Sequence, residues 1–149
     1  MSIEERTGDL FAQPDLTALA HGCNCAGAMG KGIAVPFKQR WPRMYEEYRA
    51  RCGDKRFRVG EVFVWQEGGM TVFNLGTEEH WRTGARIEHI ERAVGAMARQ
   101  AAALGVTRVG MPRIGAGLGG LSWADVRAAL ERATAGTGLT LVVVSLPRG

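Results

Sequence analysis

The sequence predicts a three-layer α/β/α domain around a central mixed sheet of about six strands. Three observations carry that expectation. Short β-rich runs alternate with helical patterns along the whole chain. One amphipathic helix is clear, with Ile87, Ile90, Val94, Met97, Ala101 and Leu104 recurring at spacings of three and four. Two glycine-rich loops, Cys23–Ala34 and Pro112–Leu121, each follow a predicted strand and precede a helical pattern.

Taken in order, Ser2–Arg6 reads as a short strand ended by Thr7-Gly8-Asp9, and Leu16–Gly22 as the next. Ile33, Phe37 and Trp41 stand at i, i+4 spacing and predict a helix that tolerates Pro36 only in its first turn. Pro42 breaks that pattern. Met44, Tyr45, Tyr48 and Cys52 give a second helical face closed by Gly53. Glu61–Gln66 and Met70–Leu75 flank Glu67-Gly68-Gly69, a hairpin signal. Gly76–Ala85 is expected to be a loop, and Gly105 to end the long helix. Val106–Met111 is a strand feeding the second glycine loop. Ser122 with Asp125 predicts a capping box before the apolar face Trp123, Val126, Leu130 and Ala133. Leu139–Leu146 is a final strand, apolar enough to lie inside the sheet.

The chain has 149 residues, enough for a single domain over 1–149 with one core. Its 46% hydrophobic and 23% charged content is that of a globular protein, and no run is long and apolar enough to span a bilayer. MSIEERTGDLF carries acids early and lacks the apolar stretch of a secretory signal. Three cysteines without such a signal point to a reducing cytoplasm. Cys23-x-Cys25 with His21 is a poor match to a zinc site, so no metal is expected. The formal charge of +4 biases the protein mildly towards anions. The basic residues look scattered, with local groups at Arg49–Arg58 and Arg82–Arg86, and a solvated surface explains most of them.

Glycine lets backbone approach a ligand closely, and a helix start offers unpaired N–H groups, which suits phosphate. Gly27-x-x-Gly30-x-Gly32 is neither a dinucleotide-binding fingerprint nor a Walker loop. Paired with Gly115-Ala-Gly-Leu-Gly-Gly120, it suggests a ligand with two or more phosphates at the carboxyl ends of strands. Asp9 reads either as an acceptor for an adenine amino group or as a turn carboxylate. Asn24 reads as a partner of a ribose hydroxyl or water, or as a loop cap. Lys31 reads as a phosphate neighbour or a solvated cation. In Thr77-Glu-Glu-His-Trp-Arg82 the acids and His80 offer a general base and Trp81 a stacking face; the alternative is an exposed acidic turn.

Gly8-Asp9-Leu10-Phe11, Asn24 with Met29-Gly30-Lys31-Gly32-Ile33-Ala34, and Pro112–Leu121, in that order, resemble a macrodomain. GKGIAVPFKQRWP and Thr77-x-x-His80-Trp81-Arg82 are most similar to the branch of the terminal ADP-ribose protein glycohydrolase and the DNA ADP-ribosyl glycohydrolase antitoxins. Cys23-Asn24-Cys25 also looks like the yeast ADP-ribose-1″-phosphate phosphatase. The resemblance implies an ADP-ribose pocket. Asp9 would hold the adenine amino group. Gly115, Ala116, Gly117, Leu118, Gly119 and Gly120 would wrap the diphosphate. Asn24 with Gly30, Lys31, Gly32, Ile33 and Ala34 would surround the distal ribose. Leu10, Met29, Thr77 and Ile114 complete the implied contacts.

Two departures matter. That branch uses a lysine in the loop before the long helix, where this chain has Glu78. The human-type enzyme has an aspartate in the diphosphate loop, where this chain has Gly119. The implied activity is therefore hydrolysis of mono-ADP-ribose from protein or DNA without a lysine adduct. Water would attack the anomeric carbon, with Asn24 and Glu78 as the catalytic candidates. A non-catalytic reader of ADP-ribose and an ADP-ribose-1″-phosphate phosphatase are the alternatives. The expected partners are ADP-ribose or ADP-ribosylated protein or DNA, with no membrane and no cofactor, and the chain is expected to be a monomer.

Overall fold

The computed structural model describes residues 3–147. Six strands run β1 Ile3–Thr7, β2 Ala18–Asn24, β3 Val62–Glu67, β4 Met70–Glu78, β5 Arg108–Met111 and β6 Thr140–Ser145. Four helices, α1 Ala34–Arg40, α2 Pro42–Gly53, α3 Ile87–Leu104 and α4 Trp123–Thr134, join two short 3-10 turns at Leu10–Ala12 and Gly117–Gly119. Ser2, expected to open the first strand, and the side chain of Leu118 lie outside the described residues.

The strands form one mixed sheet in the order β1-β6-β5-β2-β4-β3. β1, β6, β5, β2 and β4 are parallel, and β3 is antiparallel at the edge, paired to β4 by the expected hairpin. The loops after β1, β2, β4 and β5 therefore open at one edge of the sheet. Alternation along β2 sends Ala18 and Ala20 into the core shared with α3 and α4. Leu19 and Cys23 go into the core shared with α1 and α2. This is the layered α/β/α arrangement expected. No described helix is long and apolar enough to cross a membrane.

Pro36 falls in the first turn of α1, and Trp41 serves as C-cap of α1 and N-cap of α2, with Pro42 at the first position of α2. Gly105 ends α3 in the left-handed conformation, at φ 70°. Three expectations need correction. β2 and β4 run further than their apolar runs suggest, because Cys23 pairs with Gly76 and, after a register shift, Asn24 pairs with Glu78. Gly76, expected to begin a loop, is thus a strand residue. A Cβ there would stand 2.6 Å from the Arg58 carbonyl oxygen, so glycine alone fits this close approach. The capping box is not formed either. Ser122 is the N-cap of α4 without a side-chain cap bond, and Asp125 acts there only as a first-turn acid at the positive helix end.

The α1 layer is keyed to the sheet by a polar contact inside an apolar core. His21 is fully buried, its ring stacked on Phe37 at 3.9 Å and 3°. Its Nε2 lies 2.7 Å from Asn74 Oδ1, and the Asn74 amide donates to the Phe63 carbonyl at 3.1 Å. Burial lowers the His21 pKa from 6.5 to about 4, so the ring is neutral when folded. Between those values the unfolded chain binds the extra proton. Stability is therefore complete above pH 6.5 and falls as pH drops towards 4, by roughly 3 kcal/mol in this window. The urea midpoint measured across that range should show this slope, and His21→Gln should flatten it.

Candidate functional site

Four of the loops at the common strand edge differ in what they carry. The loop after β2 is built around Asn24, buried at 7% exposure where β2 ends. Its side-chain oxygen accepts the N–H groups of Ala26 at 3.0 Å and Ala28 at 3.2 Å, and its amide donates to the Ala28 carbonyl at 2.8 Å. Asparagine is suited to this because its carboxamide mimics a peptide group and closes a turn on the backbone. The Tyr48 hydroxyl, carried on α2, donates to the Asn24 carbonyl at 2.7 Å, with the Asn24 side-chain oxygen at 2.9 Å. The Asn24 side chain thus organises its own loop. Gly27 and Gly32 take positive φ values of 90° and 61° in the following turns.

The loop after β4 starts at Glu78 and carries Trp81, which is 47% exposed and packs against the His80 ring at 3.6 Å. Thr83 donates its hydroxyl to the His80 carbonyl at 2.9 Å, and His80 Nδ1 accepts the Arg82 N–H at 3.1 Å. The loop after β5 holds the second glycine group. Its Gly119 carbonyl accepts the Ala85 N–H at 3.1 Å, which ties the two loops together. A Cβ on Gly119 would meet that of Ala85 at 3.2 Å. At Gly115, in the left-handed region at φ 75°, a Cβ would come within 2.7 Å of Ile90.

These three loops enclose a cavity of about 560 Å³, a size usual for a small-molecule site. Asn24, Met29, Gly30, Lys31, Gly32, Ile33 and Ala34 line it from the first loop. Thr77 and Glu78 line it from the end of β4, and Gly115, Ala116 and Gly119 from the third loop. The two glycine loops do face one space. Thr77 is buried, with its hydroxyl 3.4 Å from the Cys23 carbonyl. Gly30 has open space around it: a Cβ would meet nothing within 4 Å. Lys31 and Arg113 are the two cations of the wall.

Other expected contacts stand outside that wall. The Asp9 carboxylate accepts the Phe11 N–H at 2.9 Å and caps the 3-10 turn after β1, at the same sheet edge but not in the cavity lining. Leu10 and Ile114 are buried in the core. Gly117 and Gly120 flank the lining on the exposed side of the third loop. Sequence reasoning missed Arg113, Pro112 and Ala85 in the wall, and the role of Tyr48 beneath it. A tyrosine on the apolar stripe of α2 needs a partner for its hydroxyl, and that was the available signal.

Burial raises the pKa of the Glu78 carboxyl, which strengthens it as a proton acceptor. Burial also pushes the Cys23 thiol well up and the Cys25 thiol to about 12. Both cysteines are therefore protonated near neutral pH and unsuited to nucleophilic attack. No cluster of three potential metal ligands occurs among the described residues.

A family model described as the Macro domain matches residues 20–130. The DNA ADP-ribosyl glycohydrolase of Mycobacterium tuberculosis is 35% identical over 131 residues, covering 85% of this chain and 37% of that protein. The chain thus spans little more than a third of that relative's length. The human ADP-ribose glycohydrolase OARD1 is 33% identical over 139 residues, covering 93% of this chain and 88% of that protein. The solved macrodomain of Mycobacterium tuberculosis DarG superposes with a TM-score of 0.89 at 32% identity, covering 98% of each chain.

The Tyr48 hydroxyl is buried against oxygen acceptors, so Tyr48→Phe removes a bond and leaves the Asn24 carbonyl short of a donor. The expected loss is about 1–3 kcal/mol of stability. Amide exchange at Ala26 and Ala28 should quicken, which hydrogen-exchange mass spectrometry would resolve against unchanged rates in α3.

Proposed function

This chain belongs to the macrodomain family, and from that premise we propose that it is a hydrolase releasing mono-ADP-ribose from modified DNA or protein. The observation that carries the reading is the position of Glu78. Glu78 lines the cavity where β4 ends, together with Gly30 to Ala34, and burial raises the proton affinity of its carboxylate. The family likeness supports placing the diphosphate against Gly115 to Gly119 and the distal ribose between Asn24 and Gly30 to Ala34. Asp9, from its place at the same edge, would reach the adenine only by sharing its carboxylate with the Phe11 amide.

The chemistry follows from that arrangement. Water attacks the anomeric carbon of the distal ribose as the bond to the leaving group breaks, through an oxocarbenium-like state. Glu78 takes the proton from water, and the leaving base or carboxylate departs with the bonding pair. Asn24 is a positioning residue here. Its side chain shapes the loop that holds the ribose, and among the described residues one amide hydrogen is left without a partner. Trp81 offers an exposed ring at the mouth to cover the sugar. Glu78 at the loop position where the resembled branch carries a lysine distinguishes this mechanism from an adduct route. Three free cysteines support a reducing compartment, the cytoplasm, as its place of work.

Glu78→Gln keeps the shape and removes the base. Turnover on ADP-ribosylated oligonucleotide or protein should fall about 10²–10⁴-fold, with ADP-ribose affinity by calorimetry little changed. Full turnover in that variant would transfer the proton to the substrate diphosphate. Tight ADP-ribose binding by the unmodified protein, with no release from glutamate-, serine- or base-linked substrates, would instead make it a reader. Phosphate release from ADP-ribose-1″-phosphate at higher efficiency than any of these would favour the phosphatase reading.

Gly30 gives a separate check on where the sugar lies. The added side chain of Gly30→Leu projects into open space, so melting temperature should hold. ADP-ribose affinity should drop at least tenfold, and an unchanged affinity would move the ligand off this loop.

A further inference from the structure

A second groove of about 570 Å³ lies between α1 and α2, and Met29 and Gly30 line both it and the main cavity. The two spaces adjoin at Gly30, where a Cβ would meet nothing within 4 Å. The groove walls carry Lys38, Tyr45 and Arg49, with Glu46 as their one acid. Lys38 Nζ sits 4.3 Å from the centre of the Tyr45 ring, and the Arg49 guanidinium lies 6.0 Å from it on the next turn of α2. The ring holds both cations over the groove and limits the rotamer freedom they would lose on binding an anion.

The charge of the chain is unevenly placed. Residues 31–58 hold nine basic and three acidic side chains, a net +6 in a chain of net +4, so the remainder is net −2. The fold neutralises some of the basic residues elsewhere. Arg6 and Arg108 pair with Asp15 and Glu4, Arg127 with Glu5 and Arg132 with Glu91, while Arg82, Arg86, Arg92 and Arg99 have no carboxylate partner among the described residues. Lys31, Lys38, Arg40 and Arg49 have none among the described residues. Arg43 on α2 reaches Glu67 only at 4.0 Å. The groove therefore offers free cations.

We propose that this groove binds the phosphodiester backbone of a single-stranded nucleic acid, with the modified base entering the main cavity across Gly30. This rests on the glycohydrolase reading only for what the cavity does to that base. The groove lies between two helices whose backbone groups are bonded internally, so it offers side-chain charge and no strand edge. A polymer with its charge on the backbone matches that offer whatever its sequence. An acidic peptide would need partners for its own amides, which the groove walls do not supply. A base reaching the cavity must be splayed from its neighbours, which a single strand allows at least cost.

The test compares the unmodified protein with Lys38→Glu/Arg49→Glu on two substrates: a short single-stranded DNA ADP-ribosylated on one base, and the corresponding ADP-ribosylated nucleoside without phosphodiesters. The ratio of kcat/KM for oligonucleotide over nucleoside should fall at least tenfold in the variant. The salt slope of binding to the unmodified strand, read by fluorescence anisotropy, should shrink by roughly 1.4 for two lost phosphate contacts. An unchanged ratio overturns the proposal while leaving the glycohydrolase reading intact. A larger loss on an ADP-ribosylated acidic peptide than on the oligonucleotide overturns it in favour of a peptide surface. If neither substrate is cleaved by the unmodified protein, the glycohydrolase reading fails and anisotropy alone decides the groove. Strand binding that the variant loses then upholds it, and no binding by the unmodified protein overturns it.

Discussion

The site depends on the parallel pairing of β2 with β4 out to Asn24 and Glu78. Parallel strands must all end on the same side, so the chain's loops converge at one edge without any contact between them being needed first. The pairing then sets which residue of each strand is last. On β2 that residue is Asn24, whose carboxamide turns the chain. On β4 it is Glu78, which lines the cavity. A shift of one residue in either strand would exchange the faces of every side chain along it and send Glu78 into a core. The bulge between Cys23 and Asn24 absorbs the mismatch at the point where the two strands diverge.

Much of this was readable from residues alone. The six strands, the four helices and the long amphipathic α3 follow from periodicity, and both glycine loops were found by composition. What periodicity could not show was the end of β4. Gly76 looks like a loop residue to any local rule, yet it is a strand residue because the Arg58 carbonyl, far from it in the hairpin approach, occupies the space a Cβ would take. The Ser122 cap failed for a related reason. Local sequence specified a donor and an acceptor, but the Ser122 side chain makes no cap bond, and the chain just before the helix is held by the Leu121 amide on the Gly115 carbonyl at 2.8 Å. Tyr48 was visible as a helical face residue, whereas its bond to Asn24 spans 24 positions and two elements.

The clustering of charge was also hidden. Nine basic residues across positions 31–58 look scattered in the one-dimensional chain. Folding α1 against α2 places Lys38 and Arg49 on the same tyrosine. Acids pair with Arg6, Arg108, Arg127 and Arg132 elsewhere. Composition reports a mild excess; the fold gathers much of it around one groove, and a local excess of that kind orients an approaching polyanion before contact.

The bond from the Ala85 amide to the Gly119 carbonyl has a mechanical meaning. It joins the lip that carries Trp81 to the lip that carries the second glycine group, so a displacement of one strains the other. A guest that stills either lip stills both, and the freedom surrendered is counted once. The third lip, around Asn24, is anchored below to α2 instead. The mouth therefore has one side braced loop to loop and one side braced against a helix.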